Sequence, residues 1–195
     1  MTTATGETRC EGSEPPPAAG HRPHRRLLAA ARTRYAEDRL ADAVCTGTRQ
    51  VVLIGAALDT FAAHNPYPDL RVFRIGGAEF EMVTAAPDFE RASPAFVIGL
   101  GPRRECAEAL AILRGAGRLA AGTEIVFDYP PGAASVVAQF LRDTGFAVLK
   151  DLGPQALASR YLDLEVGAVH SAEPRVARAR VRNNAGRPPS SLSVG

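Results

Sequence analysis

Four places in this sequence combine residue types and spacing that can do chemistry. The first is Gly55-Ala56-Ala57-Leu58-Asp59-Thr60, a run of small residues directly after an apolar stretch. Such a turn lets a ligand approach the backbone closely and presents helix N-terminal N–H groups to it. Small-residue turns are common, and the same run reads equally well as a tight connection with no ligand. The second place follows Leu70–Ile75, where nucleotide-binding units carry an acid for the ribose hydroxyls. Arg74, Gly76 and Gly77 stand there instead, and the nearest acid downstream is Glu79. Glu79 either swings back to that edge or is simply solvated, and the sequence alone favours the second. The third is Phe127-Asp128-Tyr129 at the end of an apolar run. Asp128 can accept a proton or a hydrogen bond and Tyr129 can orient or stack on a ligand; alternatively Asp128 caps the next helix. The fourth is the cluster Arg32, Arg34 and Tyr35. An arginine here can clamp a carboxylate with two hydrogen bonds, against a solvated face paired with Glu37 and Asp38.

Other reactive side chains give weaker patterns. His21 and His24 have no carboxylate or cysteine cluster to complete a metal site, so no metal is expected. The three cysteines, Cys10, Cys45 and Cys106, lie far apart and lack metal-type spacing. Their odd number fits free thiols, with Cys10 the most accessible because it falls in a tail.

These groups need elements to position them. Leu27, Leu28, Ala31, Tyr35, Leu40 and Val44 recur at helical spacing, which predicts a helix over 23–44 stopped by Gly47. Gln50–Gly55 is short, apolar and β-branched, as a strand buried on both faces reads. A short helical stretch opens at Leu58-Asp59-Thr60 and runs to about Ala63. Strands are predicted at Leu70–Ile75, Ala95–Leu100, Glu124–Phe127 and Phe146–Leu149, and helices at Arg103–Leu113, Ala133–Asp143 and Gln155–Leu162. The alternation Arg175–Arg182 predicts an edge or half-exposed strand. Strand, glycine turn, helix, strand in repetition is the pattern of an α/β fold, a doubly wound and mostly parallel Rossmann-like sheet with helices on both faces. Ligands of such sheets bind beyond the carboxyl ends of the strands, where the strand order reverses.

Composition sets the outer bounds. Of 195 residues, 46% are hydrophobic and 23% charged, with a net charge of +2, which fits a globular protein and implies no polyelectrolyte partner such as nucleic acid. No apolar run is long enough to span a bilayer, and the N-terminus lacks the apolar stretch of a signal peptide. A cytoplasmic location is therefore expected, and the Ala- and Arg-rich usage resembles a high-GC bacterial proteome. Residues 1–22 and 184–195, rich in Pro, Gly and Ser, are expected to be disordered tails around one domain over 23–183.

The segment RTRYAEDRLADAVCTGTRQVVLIGAALDT, residues 32–60, resembles the leucine carboxyl methyltransferase-like proteins, in particular their bacterial S-adenosylmethionine-dependent class I branch. That branch shows an RTR-type helix, then QVV-L-GAGLDT, a strand ending FEVD, a DFE segment, a PAFF-WLG strand, an FDY strand end, a GF-V-DL strand, an RY segment and a strand near ERFVLAR. Arg32-Thr33-Arg34, Gln50–Thr60, Val72–Gly76, Asp88-Phe89-Glu90, Pro94–Gly101, Phe127-Asp128-Tyr129, Gly145–Leu152, Arg160-Tyr161 and Glu173–Arg180 follow in that order. The departures fall at cofactor positions. Ala57 replaces the central glycine of GAGLDT, Phe61 stands where an arginine often follows the threonine, and Arg74 and Gly76 replace the acidic pair of FEVD. Gly101-Pro102-Arg103-Arg104 replaces a cofactor-lining segment, and the chain is shortened between Glu90 and Pro94 and between Tyr129 and Phe140, where the family carries part of its substrate lid.

The resemblance implies S-adenosylmethionine as cofactor and methyl transfer to an oxygen of a small molecule. The cofactor would lie over Gly55, Ala56, Ala57 and Asp59, with Arg32 on its carboxylate and Glu79 as the nearest ribose acid. Asp128 and Tyr129 would line the methyl end, and His64 and Asp128 are the candidate bases. Losing the ribose carboxylate alone weakens binding about ten- to hundredfold. The altered positions equally fit a second reading: a diverged fold without methyl transfer, either a cofactor-independent enzyme or a binding module. A shortened lid leaves apolar surface exposed, compatible with a homodimer.

Overall fold

The computed structural model describes residues 21–55, 58–76, 79–101, 105–162 and 173–182. The expected tails, with Cys10, and also Ala56 and Ala57 lie outside the described residues or nearly so; only the helix start at His21 intrudes on the first tail.

The first helix, α1 (His21–Cys45), owes its position to an apolar stripe: Leu28, Ala31, Tyr35, Ala36, Leu40 and Ala43 are all buried at spacings of about one turn. Next come β1 (Gln50–Ile54), α2 (Asp59–Ala63), β2 (Arg71–Ile75), α3 (Phe80–Thr84), β3 (Phe96–Gly99) and α4 (Cys106–Ala116). The chain ends in β4 (Glu124–Tyr129), α5 (Ala134–Asp143), β5 (Phe146–Leu152), α6 (Pro154–Tyr161) and β6 (Arg175–Val181).

The six strands form one sheet in the order β2-β1-β3-β4-β6-β5. β1 through β4 pair in parallel, while β6 runs antiparallel between β4 and β5. β1, β3 and β4 are buried along their whole length, as their mostly apolar runs suit strands covered on both faces, with Gln50, Glu124 and Asp128 the buried polar exceptions. One face packs against α1, α2 and α6 through Tyr35, Leu40, Leu58 and Leu157. The other packs against α3, α4 and α5 through Phe80, Ile112, Leu113 and Leu141. This is the α/β doubly wound arrangement expected from the sequence. The order turns at β1, which has β2 on one side and β3 on the other, so the crevice beyond its carboxyl end is the switch point.

Several elements differ from the expectation. Of the two alternatives for Arg175–Arg182, β6 is the half-exposed strand and not the edge: it lies inside the sheet, Arg180 is exposed, and Arg178 and Arg180 both bond the buried Glu124 of β4. Residues of α3, which carry no periodicity over so few positions, form a helix that seats Phe80 in the core. α4 begins at Cys106 and ends at Ala116 with Gly117 as its C-cap, within the Gly115–Gly117 stop read from the sequence, and Phe80 lies against Gly115 where a Cβ would not fit. β4 and β5 extend past their apolar cores, to Tyr129 and Leu152, by pairing with β6.

Candidate functional site

Arg32 lies one turn from Leu28 and one from Ala36, on the buried stripe of α1, and is only 4% exposed. Its Nε stands 3.5 Å from Oδ2 of Asp128, which is 1% exposed. Asp128 faces α1 because it follows Val126 by two residues along β4. Both its oxygens accept the backbone N–H of Gly101, at 3.1 and 3.2 Å, just beyond β3. One buried cluster thus ties α1 to the carboxyl ends of β3 and β4. Arg32 Nη1 is buried within it and has no hydrogen-bond partner among the described residues. Burial pulls the Arg32 guanidinium below its ordinary value; Asp128 and then Glu173 oppose that, and Arg25, itself paired with Glu173 at 3.0 Å, adds to it. A buried donor without an acceptor costs about 1–3 kcal/mol. An incoming carboxylate would satisfy it and take the two-pronged geometry that a guanidinium offers.

The neighbouring crevice is built by the turn after β1. Gly55 adopts φ 80°, a conformation that suits glycine, and its N–H donates to Ile75 O at 3.0 Å. A cavity of about 410 Å³ opens there, lined by Gly55, Arg74, Ile75 and Gly76. Arg74 crosses its edge to bond the carboxylate of Asp59, the first residue of α2. Glu79 is exposed, precedes α3 and makes no side-chain cap.

The remaining candidates are placed elsewhere. Tyr129 projects to the face opposite Asp128, where its hydroxyl donates to Asp151 Oδ2 at 2.8 Å and accepts from Arg175 Nε at 3.1 Å. Burial, then the Asp151 hydrogen bond, pushes the phenol up to about 12. His64 is exposed at the end of α2, 3.2 Å from Thr60 O, in a separate groove with Arg34, Phe61 and Tyr67. Tyr35 is core and Arg34 pairs with Asp38 at 3.1 Å. Among the described residues no group of His, Cys, Asp or Glu could hold a metal ion, and no helix is long and apolar enough to cross a membrane.

Sequence reasoning missed the Gly101 N–H, the Arg74–Asp59 pair and the Glu124–Arg178–Arg180 cluster. A signal existed for the burial of Arg32: a charge on an apolar stripe, at four-residue spacing from Leu28 and Ala36, is a buried charge.

The family model for leucine carboxyl methyltransferase matches residues 2–79, a span that includes Arg32, Gly55, Asp59, Arg74 and Glu79. A Frankia alni protein named as an S-adenosyl-L-methionine-dependent methyltransferase is 39% identical over 85 residues, which are 40% of this chain and 30% of that one. The chain therefore spans under a third of that relative's length. Among solved structures, a SAM-dependent methyltransferase from Archaeoglobus fulgidus is similar at TM-score 0.43 and 12% identity, covering 80% of this chain and 94% of that one. A ribosomal protein L11 methylase from Lactobacillus delbrueckii subsp. bulgaricus is similar at TM-score 0.42 and 9% identity, over 80% and 77%. Over residues 2–79, then, the sequence is similar to the leucine carboxyl methyltransferase family.

Proposed function

We propose that the crevice at the switch point binds S-adenosylmethionine and that the protein methylates an oxygen of a small molecule. One observation carries the reading: Arg32 is buried, oriented by Asp128, and has an Nη1 without an acceptor beside the carboxyl ends of β3 and β4. That vacancy in hydrogen bonding suits the carboxylate of an amino-acid group. The turn at Gly55 suits close approach of the rest of such a ligand to the backbone. When bound, the cofactor supplies an electrophilic methyl group, and catalysis is then mainly alignment of the acceptor oxygen.

In this reading Arg32 holds the ligand's carboxylate and Gly55 floors the crevice. Asp128, engaged by Arg32 and by Gly101, serves as a positioning residue for Arg32. Tyr129, protonated at working pH and tied to Asp151, supports the far side of β4. The acceptor's proton would leave to water or to a side chain brought by the substrate-binding region, for which His64 of the neighbouring groove is the candidate. The second reading, a diverged fold without methyl transfer, is favoured by Arg74, which stands where an acid would take the ribose.

Calorimetric titration with S-adenosylmethionine and S-adenosylhomocysteine tests both. Micromolar binding that Arg32→Met abolishes in a folded variant supports the first reading. Absence of binding at millimolar ligand sinks it and leaves the second.

A further inference from the structure

The ribose edge lacks an acid at the end of β2, yet the fold delivers one from another element. Arg74 is the penultimate residue of β2, paired in register with Leu53 of β1, one step before Ile54 and Ile75. It lines the same cavity as Gly55, Ile75 and Gly76. Its Nη2 bonds Asp59 Oδ1, which draws the first carboxylate of α2 toward this edge. A side chain at Gly76 would meet nothing within 4 Å, so the space a strand-end acid would use is open. Glu79, the other acid in reach along the chain, is exposed and makes no side-chain hydrogen bond among the described residues.

We infer that Asp59, held by Arg74, is the carboxylate that takes the ribose diol of the bound nucleoside. This rests on the nucleoside-binding reading of the crevice. The chemistry of the pair matches a vicinal diol. Asp59 Oδ2 carries no other hydrogen bond among the described residues and can accept from one hydroxyl. The remaining N–H groups of Arg74 can donate to the other hydroxyl oxygen. Both side chains are about half exposed, at 56% and 49%, so they can adjust to a ligand at little cost. Asp59 is thus a binding residue and Arg74 its positioning residue, exchanging the usual acid at the end of β2 for one on the preceding helix, α2.

The test is calorimetric titration of the full chain with S-adenosylhomocysteine and its 2′-deoxy analogue, for the wild type and for D59N, R74A and E79Q. Thermal unfolding confirms that each variant is folded, as expected for half-exposed positions. The wild type should prefer the ligand with the intact diol by about tenfold, and D59N should weaken it by about ten- to hundredfold and erase the preference. R74A should reduce the preference while Asp59 is still present, which a purely structural role would not do. A preference that survives in D59N, or that E79Q erases instead, overturns the inference while leaving the nucleoside site standing. Failure of the wild type to bind S-adenosylhomocysteine at all overturns the site reading and this inference together.

Discussion

The pair Arg32–Asp128 offers the sharpest test of the packing at the switch point. At 3.5 Å and an effective dielectric constant of about 20, the attraction between the two charges is about 5 kcal/mol. Asp128→Asn keeps the shape of the side chain and an oxygen to accept the Gly101 N–H, but strands the Arg32 cation where only 4% of it meets solvent. Breaking one half of a buried pair typically costs about 3–5 kcal/mol, so D128N should lose about that much in urea unfolding. For a domain of this size the same loss lowers the melting temperature by roughly 6–20 °C. Arg32→Met should also destabilise, since Asp128 would keep the Gly101 N–H but lose its cation. The double variant R32M/D128N buries no charge at this place and should lose less than the sum of the two single variants. A loss in D128N below about 1 kcal/mol, or strict additivity in the double variant, would refute the reasoning that two mutually dependent buried charges organise this corner.

Three further outcomes follow from other parts of the fold. Gly115→Ala should destabilise despite the better helix propensity of alanine, because the added Cβ would lie 2.1 Å from Phe80 Cδ2; overpacking of about 1–3 kcal/mol exceeds the roughly 1 kcal/mol gained, and F80L should recover much of the loss in the same urea assay. Glu124→Gln leaves Arg178, largely buried, and Arg180, half exposed, without their shared carboxylate, and should cost about 1–3 kcal/mol by denaturant titration. Tyr129, with a folded value of about 12 against an ordinary 10.0, contributes stability that is fully present below about pH 10 and is lost as pH rises through about 12; Tyr129→Phe should flatten that alkaline decline relative to the wild type.

The sheet was largely legible because burial on both faces leaves a plain trace. QVVLI, AFVIG and EIVF are each apolar but for a leading Gln50 or Glu124, and each proved to be an interior strand with a parallel neighbour. RVARARV was read correctly as half-exposed, with Arg180 exposed, but the alternation did not show that the strand lies inside the sheet or that Arg178 and Arg180 share the carboxylate of Glu124. No local pattern reveals an ion pair between residues 54 and 56 positions apart. The site was half legible. Arg32 and Asp128 could be named separately from helix spacing and strand end, but their contact joins two elements separated by most of the domain. The extension of β4 through Tyr129 depends on pairing with β6, and it is this extension that sends Asp128 and Tyr129 to opposite faces. Arg74 read as a lost acid; that it meets Asp59 becomes visible only once β2 lies beside β1.

The antiparallel insertion of β6 has a consequence for how the chain is made. β5 pairs only with β6, and β4 reaches β5 only through it. While the ribosome is still short of residue 175, β4 presents an open row of backbone donors and acceptors, and β5 has no neighbour in the sheet. At synthesis rates of about 5–20 residues per second, that exposed flank persists for seconds. The arrival of the seven residues of β6 then closes two ladders at once, with Arg178 and Arg180 locking onto Glu124 as the clasp. The nascent molecule is therefore most vulnerable to aggregation, and most in need of a chaperone, just before β6 emerges.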